Sequence, residues 1–180
     1  CLHTYTTTGI YTIKAEGAIG GFNFWALSQT NGKSDGKKLL EIERWGDLKL
    51  TGGAGNPGSG PPPSYTKLGQ LFRNCQNLTT VSAEDTPWIP LSPTGASNTN
   101  GVRWLFGFCN GLVTINNIKL WDVSACKTLT NTFYSCNKWE YGTNAGGIID
   151  LSLWDVSSVT TFASTFANCS LFNGIIFKDV

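Results

Sequence analysis

Leu120-Trp121-Asp122-Val123-Ser124 is followed, thirty-three residues later, by Leu153-Trp154-Asp155-Val156-Ser157. Twelve residues after each tryptophan a phenylalanine opens the pattern Phe-x-x-Cys-x-x-apolar, as Phe133/Cys136/Trp139 and Phe166/Cys169/Phe172. The same pattern occurs twice upstream, as Phe72/Cys75/Leu78 and Phe106/Cys109/Leu112. Phe177-Lys178-Asp179-Val180 begins one more copy of the first block, with Lys in the Trp place. The phenylalanines are spaced 34, 27 and 33 residues apart, which suits a base repeat in the mid-twenties carrying insertions. Self-similarity in this register marks a repeat architecture.

The unit has two halves. From Val123 the apolar residues Cys126, Leu129, Phe133 and Cys136 fall at offsets 3, 6, 10 and 13. Val156, Val159, Phe162, Phe166 and Cys169 keep the same offsets, which predict a short helix with one apolar face. Ser124 and Ser157, or the Asp two before each, stand where an N-cap would accept the first free amides. A polar turn follows, and then Ile149, Leu151 and Leu153 alternate with Asp150 and Ser152, which predicts a strand. Ile118/Leu120 and Ile175/Phe177 keep that period. One such strand–turn–helix unit cannot bury its apolar face, so neighbouring units must stack. Phe72, Phe106, Phe133 and Phe166 then form one core column, Cys75, Cys109, Cys136 and Cys169 a second, and Trp121 and Trp154 a third. The expected fold is an α/β repeat solenoid.

The Leu-Trp-Asp-Val-Ser…Phe-x-x-Cys…apolar unit resembles the twenty-six-residue repeat of BspA-like leucine-rich-repeat surface proteins and bacterial surface lipoproteins. The resemblance implies a leucine-rich-repeat-like solenoid of about four units over residues 51–180, in an extracellular, non-enzymatic protein of adhesion or host contact. It also offers Cys1 as the lipidated first residue of a mature lipoprotein, beside the simpler reading of a domain or processing boundary. His3-x-Tyr5 with Gly9-x-Tyr11-x-Ile13 resembles the closing strand of an immunoglobulin-like domain of the polycystic-kidney-disease type. With further strands expected over 22–27 and 39–45, residues 1–50 read as a β-rich N-terminal cap on the array. Gly-, Pro-, Ser- and Asn-rich stretches over 51–64, 92–101 and 142–147 read as exposed loops.

Composition narrows the functional classes. Charged residues are 14% of the chain and the net charge is +1 without a basic cluster, so nothing draws it to nucleic acid. The low charge fits secreted and virion surfaces. No apolar run approaches the roughly 20 residues of a membrane helix. Methionine is absent, so the chain is expected to be a processed or partial product.

Chemical motifs resolve to structural roles. Gly53-Ala54-Gly55-Asn56-Pro57-Gly58 matches a dinucleotide fingerprint, but Pro61, Pro62 and Pro63 follow where a helix should begin. Gly32-Lys33-Ser34 lacks the upstream glycine of a P-loop. The repeated cysteines read as reduced core thiols. Cys126 takes the place that Val159 fills one unit later, no Cys-x-x-Cys occurs, and His3 is the only histidine, so neither metal nor cofactor is expected. Asp122, Asp155 and Asp179 recur without further acidic ligands, which favours turn amides over calcium. No Ser/His/Asp set or paired carboxylates assemble, so no catalytic residue is expected and the chain is not expected to be an enzyme. Repeated positions are committed to stacking, which leaves the non-repeated Tyr65, Trp88 and Trp104, beside the loops, as candidate binding residues. The expected function is a surface-displayed binding or adhesion protein that recognises a protein or glycan partner on a host or neighbouring cell. The alternative is a structural component of a virion or extracellular filament, with copies of itself as partners.

Overall fold

The computed structural model describes residues 7–12, 35–47, 50, 71–89, 102–142 and 148–176. Chain order is a 3₁₀ helix at Asp35–Lys38, strand β1 at Glu41–Ile42, β2 at Thr80–Val81 and β3 at Thr114–Ile115. A second 3₁₀ helix follows at Ile118–Leu120, then β4 at Tyr141–Gly142, β5 at Ile149–Asp150 and β6 at Gly174–Ile175. Strands β1 to β4 lie side by side in sequence order, every pair parallel, with Val81 opposite Ile42 and Ile115 opposite Val81. A separate parallel pair joins β5 to β6. Parallel neighbours taken in order mean that the chain makes one circuit per strand, so each unit is a rung upon the last.

The expected helix is not there. Among the described residues the only helices are the two short 3₁₀ turns, so the α/β leucine-rich-repeat-like class is corrected to an all-β stack of strands and turns. The segment running up to each Phe-x-x-Cys is a series of overlapping β-turns. Leu105 N–H donates to Val102, Gly107 to Trp104 and Cys109 to Phe106 within one rung; Thr132, Tyr134 and Cys136 donate likewise to Leu129, Asn131 and Phe133. The alternate amides point across the stack. Trp104, Phe106 and Phe108 donate to carbonyls of Thr130, Thr132 and Tyr134, and Leu129, Asn131, Phe133 and Ser135 to those of Thr161, Ala163, Thr165 and Ala167. Phe72 and Asn74 donate in the same way to Leu105 and Gly107. A helix would keep all these amides within its own rung. Here half of them bind the rungs together, at 2.7 to 3.2 Å.

Every second turn of the series, such as those closed by Leu105, Cys109, Thr132 and Cys136, has positive φ at its third residue. That residue is Asn74, Trp104, Phe108, Asn131, Ser135, Ser164 or Asn168, each with φ between 55° and 67°. Asn and Ser tolerate or compensate this backbone with short polar side chains. Two further sequence expectations change with the turns. Leu120 closes a 3₁₀ helix instead of continuing a strand, and both it and Leu153 face solvent, 57% and 61% exposed. Phe162, placed on the buried face by its spacing, is 39% exposed.

The interior holds two aromatic columns. Phe72, Phe106, Phe133 and Phe166 stack with ring centroids 5.6, 6.0 and 5.8 Å apart and planes within 14°. The Trp121 and Trp154 rings stack at 6.5 Å, and Trp45 meets Trp121 edge-on. Trp139 packs against Phe133 and Phe166. Each thiol one rung along donates to the carbonyl of the previous phenylalanine: Cys109 to Phe72, Cys136 to Phe106 and Cys169 to Phe133, at 3.1, 3.2 and 2.9 Å. The same carbonyls also accept the amide of the Cys three residues on, so both lone pairs are engaged. Stacking is tight enough to exclude a side chain at Gly111, where an added Cβ would lie 2.5 Å from the Gln76 carbonyl oxygen of the rung before.

Candidate functional site: an aromatic ridge on the turn face

The site is built by departures from the repeat. Two places before and two after the column phenylalanine, the chain has positive φ. Those places hold Asn131 and Ser135 in one rung and Ser164 and Asn168 in the next. In the Phe106 rung they hold Trp104 (φ 58°) and Phe108 (φ 65°). A bulky aromatic with positive φ is an outlier whose backbone cost is of order 1–3 kcal/mol. Core packing does not require it, since neighbouring rungs place small polar residues there.

Gly107, the residue after the column phenylalanine, is in register with Arg73 and Tyr134. Its missing side chain makes the space, for a Cβ there would sit 2.5 Å from Trp104 Cε3. The Trp104 and Phe108 rings close over it, 5.6 Å apart and within 16° of parallel. Tyr134 meets both edge-on at 5.5 and 5.1 Å. From the other side the Arg73 guanidinium lies 4.1 Å above the Trp104 ring and 5.6 Å from Phe108. Burial lowers the Arg73 pKa from its ordinary value, and the neighbouring Arg103 charge adds to the shift. The four side chains are half-buried and form a ridge across three rungs. Such a surface offers π faces, a fixed cation and a phenol, groups that make binding contacts.

Of the three candidate binding residues, Trp104 is in this ridge. Trp88 stands outside it, half exposed after the Asp85 turn that caps Trp45 and Gly46. Tyr65 lies outside the described residues, as do the loops over 51–64 and 92–101, positions 143–147, Cys1, His3, Tyr5, the 22–27 strand and the Gly53 motif. Arg73, Phe108 and Tyr134 were not singled out by the sequence. The available signal was the exchange of Asn and Ser for aromatics at two register positions of one rung.

Asp122 and Asp155 serve turns, and Asp179 lies outside the described residues. Asp122 Oδ1 accepts from the Ser124 amide at 3.0 Å and its hydroxyl at 2.6 Å, and Asp155 Oδ1 accepts from the Ser157 amide at 3.0 Å. Among the described residues no group of three or more His, Cys, Asp or Glu is placed to hold a metal. Cys75, Cys109, Cys126, Cys136 and Cys169 are free thiols. Among the described residues no helix is long and apolar enough to cross a membrane.

Residues 100–178, which carry most of the ridge and the last repeats, match the family model described as a Mycoplasma protein of unknown function, DUF285. No curated protein and no solved structure matches the chain.

Proposed function

We propose that this chain is a non-catalytic binding module, displayed outside the cell, that attaches to a protein or glycan partner through the Arg73–Trp104–Phe108–Tyr134 ridge. One observation carries this reading: Trp104 and Phe108 occupy positive-φ positions at a backbone cost, where adjacent rungs use Asn and Ser. Strain kept in a half-exposed aromatic pair points to contact with something outside the chain. Aromatic residues and arginine are also the side chains most enriched at contact hot spots. The surface location rests on the resemblance of the repeat to BspA-like surface proteins and on the low charge of the chain.

The test is the double variant Trp104→Asn/Phe108→Ser, which installs the residues that neighbouring rungs tolerate. Attachment to cell surfaces and to a glycan array is measured beside thermal stability. The expected result is lost attachment with unchanged or raised stability. Attachment equal to that of the natural chain, in a folded variant, would rule the ridge out.

A further inference from the structure

The last described rung is open on its outer side. Leu129, Phe133, Cys136 and Trp139 of the rung before are fully buried. Their equivalents are not: Phe162 is 39% exposed, and Phe166, Cys169 and Phe172 are only partly buried. The opposite end of the phenylalanine column is closed, with Phe72 buried and the Trp45 ring edge-on to it at 5.8 Å.

The polar groups of that side are as particular as its apolar ones. Asn131, Phe133 and Ser135 donate their amides to the carbonyls of Ala163, Thr165 and Ala167, at 3.0, 3.0 and 2.9 Å. Ser164, Phe166 and Asn168 hold the equivalent places, and among the described residues nothing accepts from their amides. One acceptor site is also left over. The carbonyls of Phe72, Phe106 and Phe133 each take an amide within the rung and a thiol from the next. Among the described residues the Phe166 carbonyl takes the Cys169 amide alone. Main-chain groups withdrawn from water need partners, so whatever covers this side has to bring three acceptors, two residues apart, and one donor.

A further rung of the same repeat brings that set. Its carbonyls at the places of Ala163, Thr165 and Ala167 accept the three amides, and its cysteine donates to Phe166. The sequence resumes the repeat at Phe177-Lys178-Asp179-Val180, in the places of Leu153, Trp154, Asp155 and Val156. A second copy of the chain does not offer this match through its first rung, because the Phe72 end is closed. We infer that the outer side of the Phe166 rung is an assembly surface for one more rung of this repeat, laid parallel, the unit that Phe177-Lys178-Asp179-Val180 opens. The inference does not rest on the ridge.

Val180 holds the place of Val156, so a duplicate of residues 157–173 joined directly after it continues the repeat in register. The test compares the whole natural chain, this extended chain, and an extension of the same residues in scrambled order. Hydrogen exchange is read by NMR at the amides of Ser164, Phe166 and Asn168. All three should exchange at least about ten-fold more slowly in the extended chain, the scale of one hydrogen bond. Phe166→Ala should lower the melting temperature more in the extended chain than in the natural one. The scrambled extension should leave exchange as it is in the natural chain. The inference is overturned if the extension leaves the three amides unprotected, or if the scrambled extension protects them equally. Protection in the natural chain that rises with its concentration would overturn it too, by giving this end to a second copy.

Discussion

The Cys136 thiol lies 3.2 Å from the carbonyl oxygen of Phe106, one rung away, and donates its proton to it. The bond repeats as Cys109 to Phe72 and Cys169 to Phe133. It explains why cysteine, rather than any small apolar residue, recurs three places after each column phenylalanine. A valine of similar bulk fills the space but leaves one carbonyl lone pair without its partner.

Cys136→Val should therefore destabilise the chain by about 1–3 kcal/mol, through the lost donor and a changed shape in a fully packed site. Cys126→Val should be nearly neutral, because Val159 already fills the equivalent place one rung on. Urea unfolding midpoints of the two variants check the contrast. Equal losses at both sites would show that packing alone explains the cysteines.

The thiols should be inert in the folded chain. Burial pushes Cys126 up to about 12 and Cys169 up to about 11, and drives Cys109 and Cys136 well above the ordinary value. The reactive thiolate is thus nearly absent at pH 8. Labelling with a disulfide reagent at that pH should leave these four unmodified until denaturant is added. Fast native labelling of Cys109 or Cys136 would contradict the burial of the column.

Phe133→Ala should cost about 3–5 kcal/mol, because its ring is sandwiched between those of Phe106 and Phe166 and fully buried. Phe166→Ala should cost less, since that ring is only partly buried in the last described rung. Thermal denaturation of the two variants gives the order. A larger loss at Phe166 would mean that the rung is covered.

Asp150 gives the stack an acid-sensitive link between rungs. Hydrogen bonds from Lys119, then from Ser152, hold its carboxyl down at about 2, below its ordinary value of 3.8. The unfolded chain therefore takes up the proton first as pH falls. The contribution is fully present above about pH 4, declines below that, and is gone once the pH has passed below about 2. Melting temperature measured between pH 5 and pH 2 should fall more steeply for the natural chain than for Asp150→Asn. Parallel curves would show that the ion pair contributes nothing.

The repeat, its register and its columns were legible in the residues, because stacking places equivalent side chains in equivalent surroundings. Phe72, Phe106, Phe133 and Phe166 share a place in the sequence and share a stack in space. The helix was misread for a physical reason. Offsets of 0, 3, 6, 10 and 13 average 13/4, or 3.25 residues per step, between the 3.6 of an α-helix and the 3-residue closure of a β-turn. An apolar stripe of that period suits either. The deciding marks were Asn74, Asn131 and Asn168, residues suited to positive φ, placed where a helix would want none.

The sequence by itself determined that this chain repeats and which side chains stack. Those properties depend on identity and spacing, which are local. Only the tertiary structure decided where the alternate amides go, because an amide that donates to a carbonyl 26 to 33 residues away leaves no trace in its own segment. The same holds for the ridge. Arg73, Trp104 and Tyr134 lie far apart in the chain and meet only because the rungs are in register around Gly107. Leu120 likewise faces solvent because a 3₁₀ turn, instead of a strand, carries it outward.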